Sequence, residues 1–221
     1  DRRRGADCAG HGGGPGVALP SDMPEKWCGI YGVILALAEA GCNFVHNPVS
    51  NLKNKNGVAP LRKLHEAGIN LALGCDNCSC TDTQNMFQAM KMFCLLAAVT
   101  DPRPGPPGAV DAIAAATTGG ARTARLEASI GVLAPGMKAD IAILDLTEPS
   151  FVPLNSVARQ LVYAESGAGV KTVIIDGRVV MKERRLTTID EAALRREIAD
   201  VMTSFRPEAR QVIERNEKLS E

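Results

Sequence analysis

Residues 43–77 read NFVHNPVSNLKNKNGVAPLRKLHEAGINLALGCDN and hold two short apolar runs, each followed by polar residues. Asn43-Phe44-Val45-His46 reads as a short buried strand, stopped by Asn47-Pro48. Residues 49–57 read as a polar loop. Pro60 suits the first turn of a helix whose apolar face is Leu61 and Leu64, and Gly68 ends it. Residues 69–73 form a second apolar strand, followed by Gly74, Cys75 and Asp76. Upstream, Ile30, Val33, Ile34, Leu37 and Ala38 recur at helical spacing, with Gly41 where that helix would end. Downstream, Asp82 is placed to cap a helix that turns Met86, Phe87, Met90, Phe93, Cys94 and Ala97 inward. Residues 101–108 hold four prolines and two glycines and form a firm break. Residues 110–124 then read as a helix of small residues interrupted at Gly119-Gly120. Strands alternating with helices predict an α/β fold built from parallel β/α units.

The texture changes at Gly131. Residues 141–146 read as a strand. Residues 171–175 and 178–181 read as strands joined by Asp176-Gly177, a strong two-residue hairpin turn. Thr188-Ile189-Asp190-Glu191 is a capping box opening a helix with Leu194, Ile198, Val201, Met202 and Phe205 on one face. Pro207 is expected to break it, leaving a charged tail. These shifts divide the chain into an irregular Gly/Pro-rich lead (1–27), a β/α part (28–130), an antiparallel β part (131–187) and a helical tail (188–221).

The 221 residues are 45% hydrophobic and 23% charged, which is a globular composition. Lys+Arg and Asp+Glu are 25 each, so no global field attracts nucleic acid or an anionic membrane. The longest uncharged apolar run, residues 28–38, is too short to span a bilayer. Seven cysteines without a disulfide-scaffold pattern predict a reducing, cytoplasmic compartment.

Asp76 is the sharpest candidate for chemistry. It lies just past the C-terminal end of a strand in a β/α unit, where barrel and open-sheet enzymes place catalytic groups. A carboxylate there can ligate a divalent metal and take a proton from metal-bound water, or it can be a plain turn or capping residue. His46 ends the earlier strand, and Ser50 and Asn51 offer hydrogen bonds to a polar ligand. A lone His at a strand end is more often a satisfied structural residue. Cys75, Cys78 and Cys80 form a tight cluster, with Cys8 and His11 a distant pair. A structural zinc site built on them lacks a second close pair, so buried small hydrophobes or loop thiols are the simpler reading. His65 carries no proposed role, and residues 53–55 read as a solvated loop.

The order of these segments resembles the amidohydrolase superfamily, and within it the deaminase/chlorohydrolase branch. In that branch a His-x-Pro-x-Ser-Asn segment ends barrel strand seven and a Gly-x-Asp segment ends strand eight. Here they stand as His46-Asn47-Pro48-Val49-Ser50-Asn51 and Gly74-Cys75-Asp76. IGVLAPGMKADIAILDL (130–146) and VYAESGAGVKTVIIDGRVVM (162–181) resemble the family's return into a small β-sandwich. The resemblance implies the C-terminal portion of a (β/α)8 barrel, about strands seven and eight, plus part of a composite β-sandwich and a C-terminal helix. It implies a divalent metal, zinc or iron, and hydrolysis of carbon–nitrogen bonds other than peptide bonds. The reaction would be deamination of a purine, pyrimidine or triazine-like ring by metal-activated water. Asp76 would be metal ligand and general base, and His46, Ser50 and Asn51 would line the pocket of a small heterocyclic substrate.

The chain departs from that pattern. It has three His in all and no His-x-His pair, so one copy cannot assemble a His-rich metal centre. Two barrel strands cannot close an eight-stranded barrel. The expectation is therefore an N-terminal half that is missing or supplied by another chain, with a homo-oligomer as one way to cover open edges. Residues 1–24 would fit a damaged junction, with weak order before about residue 25, where periodicity begins. Two other readings stand beside the enzyme: a truncated, non-catalytic relative, and a small zinc-binding interaction module on Cys75, Cys78 and Cys80.

Overall fold

The computed structural model describes residues 25–220. The expected irregular lead and its junction fall almost wholly outside the described residues; only its last part is seen, because the first helix, α1 (Glu25–Glu39), starts before Cys28. The chain divides into two compact units: residues up to 138 together with 145–169, and residues 139–144 together with 170 onward.

The first unit is organised by two parallel strands, β1 (Asn43–His46) and β2 (Asn70–Leu73), in register Asn43↔Asn70, Phe44↔Leu71, Val45↔Ala72 and His46↔Leu73. β1 is not buried throughout, as expected, but alternates. Phe44 and His46 turn inward, while Val45 is 44% exposed. A strand covered on one side follows this period of two. The crossover holds two short helices, α2 (Pro48–Lys53) and α3 (Leu61–Glu66). Leu61 and Leu64 are buried as expected, and Gly68 leaves the helix with φ +73°.

Helix α2 replaces the expected loop. Its sequence has no apolar stripe, but Pro48 occupies the first turn, where its fixed φ is favourable and its missing N–H costs nothing. A short helix, α4 (Cys78–Thr81), follows β2, and then the long α5 (Met86–Thr100). Asn85 rather than Asp82 caps α5, its side chain accepting from the Gln88 N–H at 3.0 Å. Asp82 instead ends α4 in the left-handed region. Met90, Phe93, Cys94 and Ala97 of α5 are buried in the core with Ile34, Leu61, Leu64, Ile69, Leu71 and Leu73.

The small-residue helix is α6 (Ala109–Ala114), a π-helical turn (Ala115–Gly119) and α7 (Gly120–Thr123). Gly119 explains its own composition: a β-carbon there would run into the Leu71 carbonyl oxygen of β2. Asn70 ties the same junction together, donating to the Gly119 carbonyl at 3.0 Å. Helix α8 (Val157–Tyr163) follows a 3₁₀ turn (Pro149–Phe151), and its Val162 joins the core. Segment 145–169, expected within the antiparallel β part, therefore lies with the helices.

The second unit is a four-stranded antiparallel sheet in order β3 (Ile141–Leu144), β4 (Val170–Ile175), β5 (Arg178–Lys182) and β6 (Arg185–Leu186). Asp176 and Gly177 both have positive φ, 49° and 76°, as a two-residue hairpin whose twist matches its strands requires. Helix α9 (Glu191–Ser220) is capped by Asp190, which accepts from the Ala192 and Ala193 N–H groups, rather than by Thr188. Pro207 lies inside α9 and does not break it. On an exposed helix, water can take the carbonyl that a proline leaves without a donor. Among the described residues, no helix is long and apolar enough to cross a membrane.

Replacing Gly119 by Ala is expected to cost about 1–3 kcal/mol, the range for overpacking a tight backbone approach. Urea unfolding of the variant should show a lowered midpoint; an unchanged midpoint would mean the π-turn does not lean on β2.

Candidate active site

The parallel register places the C-terminal ends of β1 and β2 side by side. Pairing continues one step further, with the Gly74 N–H donating to the His46 carbonyl at 3.0 Å. Two residues later Asp76 sits at φ +62°, a left-handed conformation that Asp tolerates better than most residues. Its backbone is held by Gln84, whose Nε2 donates to the Asp76 carbonyl at 2.6 Å.

The Asp76 carboxylate is at the surface and held at both oxygens. Oδ2 accepts from the Ser50 hydroxyl at 2.6 Å, and Oδ1 accepts from the Asn77 N–H at 2.8 Å. The Ser50 hydroxyl, then the Asn77 N–H and least the Cys80 thiol hold this carboxyl below its usual range, against partial desolvation. Asp76 is therefore ionised at neutral pH. Asn77 also caps α4 through its side chain, accepting from the Cys80 N–H at 3.1 Å and the Ser79 hydroxyl at 2.6 Å.

Ser50 reaches Asp76 from α2. It is 2% exposed and accepts from Asn54 Nδ2 at 3.2 Å. Lys53 of the same helix pairs with Asp82 at 2.6 Å and donates to the Ser79 carbonyl at 3.2 Å. Asn51 is half-buried. The structure thus joins Asp76 directly to Ser50, with Asn51 beside them on α2.

His46 is placed elsewhere. It is 0% exposed, stacked on Phe44 at 6.4 Å and edge-on to Phe93 at 6.3 Å between ring centres. Neither ring nitrogen has a hydrogen-bond partner among the described residues. Burial pulls its pKa down to about 4, so it is neutral at physiological pH. The expected pocket-lining position does not suit a side chain with no open surface; its period-two alternation with Phe44 sends it into the core.

Asn54, Lys53, Asp82 and Gln84 were not singled out as site residues from sequence. Their partners lie up to 29 residues away. The one local trace is the spacing of Ser50, Lys53 and Asn54, which puts all three on neighbouring positions of a single helical turn.

A parallel β/α pair with a carboxylate just past a strand end is the arrangement in which β/α folds offer a site at the C-terminal ends of strands. The amidohydrolase family profile matches residues 19–180, and the chain belongs to that family, in its deaminase and chlorohydrolase branch. A 5'-deoxyadenosine deaminase from Methanosarcina mazei is 38% identical over 160 residues, covering 72% of this chain and 37% of the relative. A 5-methylthioadenosine/S-adenosylhomocysteine deaminase from Thermococcus onnurineus is 40% identical over 153 residues, covering 69% of this chain and 36% of the relative. Among solved structures, an adenosine deaminase from Xanthomonas campestris with bound zinc superimposes with a TM-score of 0.76 at 32% identity, over 84% of this chain and 41% of that one. The atrazine chlorohydrolase TrzN from Arthrobacter aurescens shares the fold, with a TM-score of 0.70 at 24% identity, over 85% of this chain and 39% of that one. The chain thus spans well under half the length of the curated relatives it matches.

The family implies a divalent metal. An exposed, ionised carboxylate suits one ligand position. Among the described residues, however, no group of three or more His, Cys, Asp or Glu is placed to hold a metal ion. That covers the thiols as well: Cys75 and Cys80 are half-buried and Cys78 is exposed, without forming a cage. The described residues offer one candidate ligand and not a metal centre.

Because His46 titrates near 4 when folded and near 6.5 when unfolded, its burial favours folding fully above pH 6.5. That contribution, about 3 kcal/mol, is lost as pH falls from 6.5 towards 4. Denaturant midpoints measured across that window should fall in the wild type and flatten in His46→Leu. An equal slope in both would show that His46 is not buried neutral.

Proposed function

We propose that this chain carries part of the active site of a metal-dependent hydrolase that deaminates an adenine nucleoside. The observation that carries the reading is the ionised Asp76 carboxylate at the strand end, fixed by the Ser50 hydroxyl at 2.6 Å. Adenine nucleosides are favoured over other purines, pyrimidines and triazines because the relatives at 38–40% identity are named for them, while the triazine hydrolase shares 24%.

A divalent metal, zinc or iron, supplies activation of the attacking water when bound, and Asp76 is the residue of this chain that would ligate it. The chain's own chemistry is proton handling. The water oxygen adds to the ring carbon bearing the amino group, and one water proton passes to the Asp76 carboxylate. The same carboxyl returns that proton to the departing amine, so an aminopurine and water give an oxopurine and ammonia. An ionised carboxylate is ready to accept that proton, and its two hydrogen bonds hold the accepting oxygens in place. Asn51, next to Ser50 on α2, is the candidate contact for a polar ring atom.

Ammonia release from 5'-deoxyadenosine, 5'-methylthioadenosine and a triazine, each with the zinc-loaded protein, tests this. Asp76→Asn should lower turnover of the nucleosides by at least ~100-fold while leaving the fold intact. Turnover retained in that variant would remove Asp76 from the reaction. No turnover by a wild type shown to hold zinc would favour a non-catalytic relative.

A further inference from the structure

Expectation placed Ser50 among the residues that touch substrate. The geometry points instead to a different role: we propose that Ser50 is a positioning residue for Asp76 and that Asn54 orients it. This rests on the reading of Asp76 as the reacting carboxylate.

The argument begins with proton inventory. An ionised carboxylate accepts hydrogen bonds and cannot donate, so the single Ser50 hydroxyl proton lies on the 2.6 Å line to Asp76 Oδ2. The Ser50 oxygen then has only lone pairs to offer. Asn54 must present its NH₂ group to it, as the 3.2 Å contact from Nδ2 shows. The relay therefore has one polarity, from Asn54 to Ser50 to Asp76. With 2% of its surface exposed and its proton committed, Ser50 has neither surface nor donor left for a substrate.

The same relay leaves Asp76 usable. Ser50 takes one lone-pair direction on Oδ2 and the Asn77 N–H takes one on Oδ1, while a carboxylate offers about four. The side chain is thus locked in one orientation with acceptor capacity remaining on each oxygen. Helix α2 grips the segment a second time beyond Asp76, where Lys53 holds Asp82 and the Ser79 carbonyl. The Asp76 turn is held at both ends by one helical turn of α2.

The test uses Ser50→Ala, Asn54→Ala and Asp76→Asn in the protein. Side-chain couplings from NMR give the Asp76 rotamer without reference to activity. One rotamer is expected in the wild type, averaging in Ser50→Ala and partial averaging in Asn54→Ala. Turnover of 5'-deoxyadenosine by the zinc-loaded protein gives the second readout. Ser50→Ala should lower kcat by roughly 10–100-fold with little change in KM, and should add nothing in an Asp76→Asn background. A single Asp76 rotamer retained in Ser50→Ala, or a raised KM with unchanged kcat, would overturn the proposal. Asn54 is exposed, so its variant keeps the test decisive should Ser50→Ala fail to fold. If wild type and Asp76→Asn are equally inactive, the proposed reaction fails, while the rotamer measurement still decides what Ser50 does.

Discussion

Everything proposed for this chain depends on one constraint, the four-residue parallel register of β1 and β2. Parallel pairing puts both C-terminal ends on the same edge. Residues 26 apart in sequence, Ser50 and Asp76, thereby come within 2.6 Å. Had the strands been antiparallel, the helix after β1 and the turn after β2 would lie at opposite ends and no shared site would form. The crossover through α2 and α3 supplies the connection that a parallel pair needs.

Beneath that edge the chain is apolar and tightly approached; above it, polar and cross-linked. His46 lies under the edge as a neutral ring against Phe44 and Phe93, and Gly119 lets the π-turn lie against the β2 backbone. Over the edge, Ser50, Lys53, Asn77 and Gln84 hold the Asp76 segment by side-chain and backbone bonds. Such a division suits a reacting group, because a rigid floor and a satisfied polar shell keep a charged side chain in one place without desolvating it fully.

The strands, the long helix α5 and the Asp176-Gly177 hairpin were legible because their signals are local: apolar period, turn chemistry, glycine stops. The place of Asp76 just past a strand end was legible too. Helix α2 was not, because 48–53 has no apolar stripe and its partners lie across the fold. The cap of α5 slipped from Asp82 to Asn85 for a related reason. Both residues can cap, and only the distant Lys53 commits Asp82 elsewhere. His46 could be read either way from its place at a strand end, and only the fold shows its ring between Phe44 and Phe93. For Ser50 the sequence shows a hydroxyl that can bond, and only the structure shows that it bonds to Asp76.

As proposed, Asp76 is a carboxylate held ready for a metal by its own chain, which shares its fold with a zinc-bearing adenosine deaminase. A crystal structure of the protein grown with zinc tests that most directly. The account predicts zinc about 2.0–2.2 Å from an Asp76 carboxylate oxygen, with the Ser50 hydroxyl still bonded to the same carboxylate. Zinc bound at a site that leaves Asp76 untouched would contradict it.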